Sequence, residues 1–160
     1  MPLVANKQAG DNFYPQYNVV VREDVGAIAI TKGRLYTKDA SGNLVAATST
    51  SGFIRGIFQA SRSIPTAGSA GEHAVDCFAH RSRIGLPAAA GLTAGCLVKY
   101  NFTSHQAELF TGATDLTTVQ LTQTIGRVYK IYSKAGVAIE NDKKVSAAGD
   151  IVIIDLGAGL

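Results

Sequence analysis

The sequence predicts an all-β fold, a small β-barrel or β-sandwich with an extended N-terminal arm. Three observations predict it. Short apolar runs rich in β-branched residues recur along the chain, which suits a pleated, half-buried strand. Glycine and Asp/Ser/Asn clusters separate those runs and supply turns. Helical periodicity is poor throughout. At 160 residues the chain suits one domain with an arm. Residues 1–18 form the arm and 19–160 a single β domain.

The arm is polar with clustered aromatics, Phe13-Tyr14-Pro15-Gln16-Tyr17. Pro15 blocks a helix or a central strand there. Aromatic rings on an arm are costly to leave in water, so they are expected to dock. Strands are predicted from Val19 onward. Val19-Val20-Val21 and Ala27-Ile28-Ala29-Ile30 come first, punctuated by Gly26 and Gly33. Leu35-Tyr36-Thr37 and Leu44-Val45-Ala46 flank the turn cluster Asp39–Asn43, a hairpin signal. Phe53-Ile54 and Ile57-Phe58 flank Gly56; Ala74–Ala79 follows the loop Pro65–Gly71. Leu97–Tyr100 and Leu109-Phe110 form a further pair, Ile125–Ile131 alternates, and Ile151–Ile154 reads as a buried strand. The best helix candidate runs from Asp115 to Thr124, with Asp115 as a cap. Its Thr117, Thr118, Val119, Thr122 and Thr124 are β-branched, so strand or loop fits as well.

A motif recurs. Ile30-Thr31-Lys32-Gly33-Arg34-Leu35 matches Leu92-Thr93-Ala94-Gly95-Cys96-Leu97, and Val145–Val152 repeats the theme with one extra residue before Gly149. Each places a hydroxyl residue and then a glycine, able to take φ > 0, before a strand. Ile54-Arg55-Gly56-Ile57 echoes Ile125-Gly126-Arg127-Val128 with Gly and Arg exchanged. Gly33 and Gly56 are 23 apart and Gly95 and Gly126 are 31 apart, so a longer loop around Thr111–Thr124 would account for the difference. A duplicated β unit and a chance likeness among glycine turns both fit.

Charged residues make up 17% of the chain and the net charge is +3, against ~25% charged in typical domains. That balance is too weak for nucleic-acid binding. It suggests instead a surface covered by something else. The N-terminus lacks a basic start and a long apolar run, so neither a secretory signal nor a membrane span is expected, and the chain is expected in a cytosol. Cys77 and Cys96 then read as small apolar residues rather than a disulfide.

Candidate chemistry is sparse. His73, Asp76 and His80 are close in sequence, but only Asp76 and His80 share a strand face, so exposed strand histidines are the simpler reading. His105 falls at a polar hairpin tip, Thr103–Gln106. No Gly-x-Ser-x-Gly elbow, phosphate loop or Gly-x-Gly-x-x-Gly occurs. Neither a cofactor nor a metal site is expected. Arg55, Arg62, Arg81 and Arg83 suggest a basic patch, with Arg81 and Arg83 on one strand face, better suited to a subunit contact than to nucleic acid.

Several segments carry a resemblance: Ile30–Leu35, Leu44–Thr48, Phe53–Phe58, Arg83–Ala88 and Leu92–Val98. Over roughly residues 25–155 the chain resembles the β-rich decoration, or cement, proteins of tailed-bacteriophage heads. It departs from them in its aromatic arm and in residues 111–124. The resemblance implies a non-enzymatic virion protein, made in the host cytoplasm, that binds the capsid exterior. Its partners would be the major capsid protein and itself, as a homotrimer; no membrane or nucleic-acid partner is implied. Expected contact residues are Phe13, Tyr14, Tyr17, Arg55, Arg81 and Arg83. The alternatives are another virion structural role (head fibre, minor capsid or tail component), a small β-rich hydrolase, or a sugar- or nucleic-acid-binding barrel.

Overall fold

A computed structural model describes residues 7–25, 29–50, 54–63, 74–79, 81–112, 124–133 and 144–157. These residues are all-β, with no helix among them. The strands are β1 (Val20–Asp24), β2 (Ala29–Ile30), β3 (Leu35–Lys38), β4 (Leu44–Ala46), β5 (Gly56–Phe58), β6 (Arg62–Ser63), β7 (Ala74–Ala79), β8 (Arg83–Pro87), β9 (Leu97–Asn101), β10 (Gln106–Leu109), β11 (Thr124–Tyr132) and β12 (Ile151–Leu156). They form two five-stranded sheets, β1-β7-β5-β3-β4 and β10-β9-β11-β12-β8, and a two-stranded ribbon, β2-β6. Every ladder is antiparallel.

The two five-stranded sheets share one connectivity. In each, the first strand lies at one edge and a hairpin (β3–β4 or β9–β10) at the other. A return strand (β5 or β11) pairs with the first hairpin strand, and the last strand (β7 or β12) fits between the return strand and the first. The agreement extends to single hydrogen bonds. Gly33 N donates to Phe58 O and Phe58 N to Arg34 O; Gly95 N donates to Val128 O and Val128 N to Cys96 O. An isolated parallel bridge joins Val25 to Leu44 in the first sheet and Ala88 to Ala107 in the second. Each sheet therefore curls until its two edges touch. Among the described residues that one bridge is the whole of the pairing between the edges, and no closed barrel is seen.

The motif found in the sequence is the turn that starts the inner strands. Arg34 N bonds Thr31 O, Cys96 N bonds Thr93 O and Asp150 N bonds Ala147 O. Gly33, Gly95 and Gly149 occupy the third turn position with φ of 80°, 85° and 83°, which demands glycine in a type II turn. The return-strand echo is corrected by one residue. The hydrogen bonds match Gly56 with Gly126 directly, without a Gly/Arg exchange. Both glycines allow close strand approach. A Cβ on Gly56 would meet Phe78 O at 1.8 Å, and one on Gly126 would meet Asp155 O at 2.1 Å.

Strand alternation builds the cores. Tyr36, Phe58, Val75 and Cys77 fill the inside of the first curl with Val25, Ile30 and Leu44. The opposite face supplies Leu35, Ile57 and Phe78, with Ile54, to the large core built mainly by the second sheet, which includes Ile84, Leu86, Val98, Val128, Val152 and Ile154. The two halves thus share one apolar core. The hairpin turn at Asp39 is held by its carboxylate, whose Oδ1 accepts the amides of Ser41 (2.9 Å) and Asn43 (3.0 Å). Cys77 and Cys96 are free thiols. The predicted strand run Ala27-Ile28 and the Asp115–Gln123 stretch lie outside the described residues.

Candidate functional site

The outer face of the second sheet carries Tyr129, Tyr132, Ile151 and Ile153, and the arm covers it with Phe13 and Tyr14. β11 places these rings by a bulge between Val128 and Lys130, where pairing with β12 shifts. Tyr129 and Tyr132 consequently reach the same side. The Tyr14 ring meets the Tyr129 ring edge-on at 5.6 Å. The hydroxyls of Tyr14 and Tyr132 hydrogen-bond at 2.9 Å. Burial, and then this bond, push the Tyr14 pKa well above the ordinary phenol range, so the Tyr14 phenol stays neutral. Phe13 seats on Gly85 of β8, where a Cβ would come 2.3 Å from the Phe13 ring.

Arg83 closes this latch. Its guanidinium stands 3.8 Å from the Tyr129 ring centroid, 4.3 Å from Tyr17 and 5.7 Å from Tyr14. Its Nε donates to Asp155 Oδ1 at 2.7 Å, across the β12–β8 register that sets Asp155 opposite Arg83. Burial alone would lower the Arg83 pKa, but the Asp155 hydrogen bond and charge reverse this and raise it. A planar cation between rings with a carboxylate behind it suits Arg and not Lys. At the base of the arm, Lys32 pairs with Asp11 and Gln8 N donates to Asp11 Oδ2 at 2.8 Å.

Of the expected contact residues, the structure brings Phe13, Tyr14, Tyr17 and Arg83 together, but as a latch within one chain. The described arm is not extended: residues 15–17 form a turn, closed by Tyr17 N and Asn18 N donating to Tyr14 O. Arg81 does not share a strand face with Arg83. It sits in the turn before β8 with φ of 74°, exposed, and its amide bonds Leu156 O. Arg55 is exposed and immediately precedes β5 in the other sheet. Arg62 opens β6 in the two-stranded ribbon. Asp76 pairs with Arg22 across β1–β7 at 3.0 Å; His73 and His80 lie outside the described residues. No cluster of three metal-ligating side chains occurs among the described residues.

Among the described residues, large apolar side chains stay open to solvent at the end of the arm and the start of the first sheet, and singly at Leu109 and Val145. Tyr17 is 53% exposed, Val19 54% and Val20 49%. These three run from the end of the arm into β1, an edge strand. Val19 and Val20 read from sequence as an ordinary strand run. The signal that marks them is three adjacent valines, since a period of two must turn at least one outward. No protein-family model matches this chain, and no curated protein matches it.

Proposed function

We propose that this chain is a non-enzymatic structural protein that binds the outer surface of a bacteriophage capsid and stabilises it by bridging major capsid subunits. The observation that carries the reading is the exposure of Tyr17, Val19 and Val20 at an open sheet edge. Large apolar side chains left exposed within a few residues of one another suit a protein contact, and an edge strand offers backbone groups to a partner chain. The low charge of the whole chain, 17%, fits a surface that meets protein, because charged residues are depleted at interface cores. Repetition on a lattice adds avidity to a modest contact, and a homotrimer is the closed assembly expected to present three such edges at once.

The test mixes purified protein with undecorated heads and measures bound copies and heat resistance. Saturable binding with a gain in heat resistance is expected. Val20→Lys charges this edge without touching the core and should weaken attachment while the fold persists. No binding, or equal binding by the variant, overturns the reading. Deleting residues 1–17 is not a clean test, because Phe13 and Tyr14 cover the protein's own sheet.

A further inference from the structure

A hollow of about 250 Å³ lies where three parts of the chain meet: the arm at Ala9, the first repeat turn at Thr31–Arg34, and the second hairpin tip at Ser104 and His105. Tyr100 and Pro87 complete its wall. This is just below the ~300 Å³ lower bound of common ligand pockets, so it suits a small molecule. No carboxylate lines it among the described residues. Lys32 is already balanced by Asp11, but no carboxylate pairs with Arg34 among the described residues. The hollow therefore carries net positive charge.

Its polar groups are held in place. Tyr100 is 2% exposed, and its hydroxyl meets His105 Nδ1 at 3.2 Å. Burial raises the Tyr100 pKa against the opposing charge and hydrogen bond of Arg34, so the phenol stays neutral and able to donate. His105 takes φ of 56°, a costly conformation for a residue with a Cβ. The tip enforces it: Asn101 Oδ1 accepts the amides of Thr103 at 2.8 Å and Ser104 at 3.0 Å. Strain fixed in this way aims a side chain, and here it keeps the imidazole beside Tyr100.

We propose that this hollow binds a small oxyanion, a phosphate or carboxylate group, gripped by Arg34 with Ser104, His105 and Lys32 around it. A guanidinium fork matches both oxyanions, and the hydroxyl of Ser104 adds a neutral donor. The ligand would touch the arm, the first sheet and the second hairpin together, so binding would stabilise all three against unfolding. The site does not depend on capsid attachment.

The experiment titrates the full chain with sodium phosphate, with sodium acetate, and with sodium chloride at matched ionic strength. Amide NMR shifts and the thermal midpoint are read in each series. Saturable shifts centred on Arg34, Ser104 and His105 are expected, with a rise in midpoint beyond that in chloride. A response to phosphate alone assigns a phosphate group; a response to acetate alone assigns a carboxylate. Arg34→Gln should weaken the apparent affinity about tenfold or more, since one charged hydrogen-bonded contact is worth about 1.4 kcal/mol or above. Lys144→Gln, on the exposed surface, should leave it unchanged. Should Arg34→Gln fail to fold, Ser104→Ala at the exposed tip serves, with a smaller loss expected. Non-saturable shifts equal to those in chloride, or full affinity in the variants, overturn the proposal.

Discussion

Arg83 shows how one side chain can hold a segment that has little secondary structure of its own. Its guanidinium lies against Tyr129 and Tyr17 and bonds Asp155, so it ties the arm, β8, β11 and β12. Arg83→Met keeps the stem and removes the ion pair and the cation–ring contacts. Those contacts are partly solvent-exposed, so a loss of about 1–2 kcal/mol is expected in urea unfolding. Arg83→Lys should recover only part of it, and the Tyr17 and Tyr129 ring proton shifts should move in both variants. Unchanged ring shifts would show that the latch does not depend on the guanidinium plane. The thiols differ as sharply. Burial, reinforced by the nearby charges of Glu23 and Asp76, pushes Cys77 up to about 11. The side chain is also fully enclosed, and only a thiolate that reagent can reach reacts. An aromatic disulfide reagent should therefore label one thiol, Cys96, in the folded protein and both after denaturation.

At the scale of elements, the glycine turns and the return-strand glycines do different jobs, and substitutions should separate them. Gly95→Ala places a Cβ at a positive-φ turn position that opens to free space. The expected cost is about 1–2 kcal/mol, from the backbone conformation alone. Gly126→Ala drives a Cβ into the Asp155 carbonyl and should prevent β11 from pairing with β12. Thermal scans should show a lowered midpoint for the first and loss of the cooperative transition for the second. Equal effects would mean that strand approach at Gly126 is not limiting. The sequence made the turns visible because Thr-x-Gly-x spacing is local. It misplaced the return-strand echo by one residue. Nothing local distinguishes Ile54-Arg55-Gly56 from Ile125-Gly126-Arg127 except the partner strand, and that partner lies far along the chain.

The whole molecule is two curled sheets of one connectivity that do not share their burdens equally. The first sheet keeps Tyr36, Phe58 and Cys77 for its own interior, and its other face, Leu35, Ile57 and Phe78, reaches the second sheet's core. The second sheet's outer face is covered by the arm instead. Residues 1–80 alone would expose Leu35, Ile57 and Phe78. That fragment should lack a dispersed amide spectrum, and mixing with residues 81–160 should restore it; a fragment folded alone would refute this shared core. Acid tests the arm at its base. Burial pushes the Asp11 pKa up, but hydrogen bonds from Lys32 and Gln8 N and the charges of Lys32 and Lys7 bring it below 3.8. A lowered folded pKa means that the pair's contribution is present above the unfolded value and lost as pH falls through the folded one. Arm contacts should therefore hold at pH 5 and loosen only below about pH 4, as followed by the Tyr14 and Tyr129 ring protons. Asp11→Asn should loosen them already at neutral pH. An acid-insensitive arm would assign its docking to the rings alone.

Strand positions such as β3, β4, β9 and β12, the Asp39 turn and the glycine turns could all be read from neighbouring residues, because propensity and turn chemistry act over a few positions. The all-β class followed from their sum. The low charge was visible as well, but not which surface it leaves bare. That Phe13, Tyr14 and Tyr17 dock on the chain's own sheet rests on Arg83, Tyr129, Tyr132 and Asp155, which are distant in sequence. The meeting of Arg34 with Ser104 and His105 likewise needs two hairpins from different halves to arrive at one place. Local residues encode where strands start and stop. Pairing between distant segments encodes which faces are covered, which edge stays open and where a site can form.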